Sequence, residues 1–117
     1  MNIKIQEIKD RGNIEKERAV FVVQTDCELG SFFAFKTQKM EVEGQVSSDI
    51  KHPFWFPDQA VKKNDIIVLY TKSGNDKQKQ NSDSTTTYFY YMDEKSSIYG
   101  NEEDRILLVH SDSWSVK

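Results

Sequence analysis

The sequence predicts an all-β fold, a two-layered sandwich of about seven or eight short, mainly antiparallel strands, and three observations carry that prediction. Apolar and polar residues alternate with period two along much of the chain, the pattern of strands with one buried face. Polar, turn-compatible clusters separate these runs at short intervals. No segment of useful length repeats with the helical period. A single sheet of so many strands would leave one apolar face in water, and a second layer removes that problem.

The elements follow in order. Ile3 and Ile5 flank Lys4, giving a half-buried first strand that ends in a turn at residues 10–13. Residues 19–23, Ala19, Val20, Phe21, Val22 and Val23, are continuously apolar and β-branched, as expected of a central strand covered on both faces. After a turn at 25–30, the aromatic run Phe32, Phe33 and Phe35 is expected to pair antiparallel with that strand. Met40, Val42 and Val46 alternate with polar residues, predicting a further strand whose Gly44 suggests a bulge. The segment His52 to Pro57 sets three aromatics between the only two prolines; proline cannot donate to a ladder, so an edge strand or extended loop is expected. Residues 66–70 form a second continuous apolar run and a second central strand.

Residues 72–84 contain no apolar side chain and are read as a mobile polar hairpin loop, which makes the strand at 85–92 the antiparallel partner of 66–70. The last strand covers residues 105–110, followed by a turn and a short tail at 114–117. At 117 residues without repeat or compositional break, the chain is expected to form one domain, 1–117.

Charge and composition narrow the function classes. Sixteen basic and nineteen acidic residues give a net charge of −3, which supplies no global field for a polyanion. The first ten residues alternate apolar and charged groups and lack the apolar core of a secretory signal, and no run approaches a membrane span, so a cytoplasmic location and no membrane contact are expected. Cys27 is the only cysteine, and it shares no metal-ligand or nucleophile spacing with His52 or His110. The acidic clusters at 93–94 and 102–104 lack the calcium-loop arrangement and are read as solvated turns. No catalytic residue, metal or cofactor is assigned, and a non-enzymatic role is expected.

The second half resembles the lamin-tail domain, an immunoglobulin-like β-sandwich. Phe56 and Pro57, the turn at 61–65 and the apolar strand at 66–70 are similar to that family's aromatic-proline, tight-turn, strand block. Residues 101–108, in which Asn101 and an acidic turn lead into a strand with core leucines, are similar to its late block. The chain departs from the pattern at Glu103 and Ser113, where the family carries glycine. The resemblance implies an immunoglobulin-like fold and a binding or tethering module with no catalytic residues.

Aromatic residues supply the candidate binding site. Trp55 must point opposite to Phe54 and Phe56 in an extended segment, which offers it as an edge anchor for a protein partner or a second copy of the chain. Tyr88 and Tyr90 alternate against Phe89 and Tyr91, and form an exposed aromatic stripe if the latter pair faces inward. The alternative is nucleic acid, with Lys72, Lys77 and Lys79 meeting phosphates while Tyr88 or Tyr90 stacks on bases.

Overall fold

Ten strands form in the computed structural model, which describes residues 1–117, most of them on the β-branched and aromatic runs of the sequence. The strands are β1 (Ile3–Lys9), β2 (Arg18–Val23), β3 (Cys27–Glu28), β4 (Phe32–Gln38), β5 (Lys51–Trp55), β6 (Ala60–Val61), β7 (Ile66–Tyr70), β8 (Lys77–Gln80), β9 (Thr86–Tyr91) and β10 (Asp104–His110). A five-stranded sheet has the order β1-β2-β7-β9-β8, a three-stranded sheet the order β10-β4-β5, and β3 pairs with β6. The only helical element is a 3-10 turn at Leu29–Ser31, and no helix is long and apolar enough to cross a membrane.

The chain is thus nearly all-β, with the two larger sheets sharing one core as in a β-sandwich. Phe21, Ile67, Leu69, Tyr88 and Tyr90 from the larger sheet meet Phe32, Ala34 and Leu108 from the smaller one in a single buried cluster. Phe56 lies between them, edge-on to Phe21 at 5.8 Å and Tyr90 at 5.7 Å in the larger sheet and to Phe54 at 5.1 Å in the smaller one. Each large side chain removed from water in this way contributes on the order of 1.5–3 kcal/mol.

The two continuous apolar runs are central strands, as expected, with β2 and β7 hydrogen-bonded side by side. Their outward residues Val20 and Val68 are buried without a covering layer of secondary structure on that face.

Four strand expectations are corrected. The Phe-rich strand β4 does not pair with β2; the short β3–β6 bridge and the 3-10 turn carry the chain into the other sheet, where β4 pairs with β10 and β5. The pair β7–β9 is parallel, because the polar segment carries the chain past an open slot to β8 and a hairpin returns it into that slot as β9. Within the expected loop at 72–84, residues 77–80 form β8, whose side chains are all exposed; ladder bonds to β9 order a strand that has no apolar residue. The expected strand around Met40 to Val46 is a turn closed by one bridge, Lys39 to Val46, with Gly44 at φ 83°. The tail at 114–117 forms no strand. Neither Glu103 nor Ser113 takes a positive φ, so this backbone does not require glycine at those positions.

Candidate interaction surface

The geometry around Trp55 begins with a bulge. Two steps along β4 match three along β5 between the pairs Ala34–Phe54 and Lys36–Lys51, and His52 absorbs the extra length at φ 52°. Beyond it the alternation resumes as the sequence predicts: Phe54 and Phe56 point into the core and Trp55 points out. The Trp55 ring stacks on Phe33 at 4.7 Å, meets Trp114 of the tail edge-on at 5.0 Å, and its Nε1 donates to the Gly30 carbonyl at 2.7 Å. A Cβ at position 30 would crowd the Asp58 carboxylate and its Cα, so a larger residue there would require Asp58 to shift away from the segment that holds that carbonyl.

Cross-strand pairing extends this cluster over the small sheet. Val109 pairs with Phe33, and Phe33 pairs with Trp55, a row spanning all three strands. Leu107 beside Phe35 forms a second row. This outer face is apolar and no strand covers it: Trp55 is 44% exposed and Trp114 64%.

Tyr88 and Tyr90 are not the exposed stripe. They point inward, buried in the core cluster, because the outward face of β9 belongs to Thr87, Phe89 and Tyr91. Burial pushes the Tyr90 phenol up to about 12, with the nearby Asp76, Tyr88 and Glu28 adding to it. The two rings contribute to the wall of a shallow cleft beside Lys77, of about 220 Å³.

The lysines lie on the outer face of the large sheet. Lys72 sits 5.2 Å above the Tyr70 ring and Lys77 5.6 Å above Phe89. The Arg18 guanidinium lies 5.8 Å from the Tyr70 ring centre, and Tyr70 stacks on Tyr91 at 5.3 Å. Lys79 pairs with Thr87 on the same face.

Three buried carboxylates carried no distinctive signal in the sequence. Glu17, fully buried, accepts hydrogen bonds from Ser97 Oγ (2.6 Å), Thr71 Oγ1 (2.7 Å) and the backbone N–H groups of Gly12, Ile98 and Tyr99. Burial opposes its ionisation, but these donors outweigh it and hold the carboxyl below its usual range. Asp104 is likewise buried and held low; burial is outweighed by the Asn101 N–H, Gln38 and Lys36. This corrects the reading of 102–104 as a wholly solvated turn. Asp65 accepts from the N–H groups of Lys62 and Thr86, both at 2.9 Å, tying the turn before β7 to the start of β9. Each carboxylate is occupied in holding a loop or turn.

Cys27 belongs to β3, His110 is exposed at the end of β10 and stacks on Phe32, and His52 Nδ1 lies 3.1 Å from Glu94. No three His, Cys, Asp or Glu side chains converge into a metal-binding group. No protein-family model, no curated protein and no solved structure matches this chain.

Proposed function

We propose that this chain is a non-enzymatic interaction or tethering module, and that its outer aromatic face, centred on Trp55, binds an apolar surface of a protein partner. One observation carries the reading: Trp55, Phe33 and Trp114 form a preassembled aromatic cluster on a sheet face that no strand covers. Trp is enriched among residues that dominate binding energies, and a ring already held by stacking and an indole hydrogen bond loses little conformational entropy on docking. Within the same proposal the sandwich is immunoglobulin-like and akin to lamin-tail domains, for which the two sheets around one core are the support.

The test compares immobilised wild type with Trp55→Ala as baits of equal circular dichroism. A partner held by wild type and released by the variant supports the reading; partners retained equally by both overturn it.

A second reading, single-stranded nucleic acid on the opposite face, is favoured by the cations held over Tyr70 and Phe89. It predicts oligonucleotide affinity that falls steeply with salt and weakens in Lys72→Ala and Lys77→Ala. Fluorescence anisotropy at low salt decides it, since no binding there removes the reading.

A further inference from the structure

Two sheets present four edge strands, and three of them carry features that discourage strand addition. The edge β1 is bulged between Ile5 and Glu7 and bears Lys4, Glu7 and Lys9. The edge β5 contains Pro53 and its own bulge, and β8 is short and polar, with two lysines. Charges, proline, bulges and shortness are the usual means of blunting an edge. The fourth edge, β10, has none of them over Ile106, Leu107, Leu108 and Val109, and it pairs with β4 in unbroken register from Asp104 to His110.

The direction of its free hydrogen-bonding groups follows from the two flanking bonds, Lys39 N–H to the Glu103 carbonyl and Ser111 N–H to the Ser31 carbonyl. Antiparallel alternation then turns Arg105, Leu107 and Val109 toward β4, and turns the N–H and C=O groups of Ile106, Leu108 and His110 away from it. No turn or loop backbone group reaches those outward positions. At the strand start, Arg11 Nη1 caps the Asp104 carbonyl at 3.2 Å, so the open stretch runs from Ile106 to His110.

We propose that a second copy of this chain fills this edge, β10 pairing antiparallel with the partner's β10 about a two-fold axis at Leu108. The open stretch is its own complement. Its midpoint is Leu108, so a two-fold there sets Ile106 against the partner's His110 and Leu107 against the partner's Val109, and every outward N–H meets an outward carbonyl. No like-charged pair falls within the stretch. Apolar side chains meet on the outer face, which joins the two aromatic faces into one surface. This inference rests on the unpaired edge and is independent of the protein-partner reading at Trp55, which lies on the opposite edge strand.

Light scattering behind size exclusion, on the full chain over a concentration series, tests it. Wild type is expected at twice the chain mass of 13.7 kDa. Leu107→Lys with Val109→Lys sets lysine against lysine across the two-fold and should return the chain mass. Leu107→Glu with Val109→Lys sets opposite charges together and should keep the dimer. Both residues are partly exposed, and circular dichroism checks that both variants fold. A monomeric wild type, the same mass for both double variants, or mass that grows without closing would each overturn the proposal. Partner retention is read in the separate bait assay, so the two proposals fail independently.

Discussion

Around Glu17 the protein buries a carboxylate completely, whereas around Trp55 it leaves an aromatic cluster in water. The Glu17 carboxylate receives five hydrogen bonds from three segments of chain, and no buried side-chain nitrogen or oxygen in the molecule lacks a partner. Its environment is fully accounted for by the fold: it fastens the loop carrying Ser97, Ile98 and Tyr99 to β2. Trp55 has one hydrogen bond and one stacked face, and much of its surface remains open. The contrast separates roles. The buried polar group is explained by stability, and the exposed apolar group is the one to which the proposed binding is assigned.

The largest effect expected from that contrast is at Glu17. Glu17→Ala leaves two hydroxyls and three N–H groups without their acceptor and should cost about 3–5 kcal/mol of unfolding free energy in urea. A loss below 1 kcal/mol would mean that the carboxylate is not the fastener described.

An intermediate effect is expected with pH. Glu17 and Asp104 are held below their ordinary values when folded, so the unfolded chain binds more protons in the acid window. Their contribution is therefore full above the unfolded carboxylate values of about 4 and is lost as pH falls through the lower folded values. Urea midpoints should drop across that window, and Glu17→Gln should flatten the drop while lowering stability at neutral pH. An unchanged slope in the variant would assign the acid sensitivity to other groups.

The same contrast marks what the sequence discloses. The two prolines marked the segment holding β5 as an edge strand or loop, and alternation set Trp55 opposite to Phe54 and Phe56, because a period of two needs only those neighbours. The runs at β2 and β7 identified central strands because they are continuously apolar and do not alternate. Pairing partners were less legible: β7 and β9 are parallel because β8 lies beyond β9, and that crossing depends on backbone bonds made by polar residues. Tyr88 and Tyr90 illustrate the limit from another side. Four consecutive aromatics satisfy either face, so only the position of the opposing sheet decided which pair was buried. The Glu17 site was illegible, since its donors lie up to 82 residues away and none is of a type that announces an acceptor.

The most direct test of the central claim is to measure stability and partner retention together on Trp55→Ala. The account predicts a loss of about 2 kcal/mol, about 1 kcal/mol each from the stacked face and the single hydrogen bond, with retention abolished. A loss of about 3 kcal/mol or more, of the size expected for truncating a core aromatic, with retention unchanged would contradict it and place Trp55 among the residues that serve only the fold.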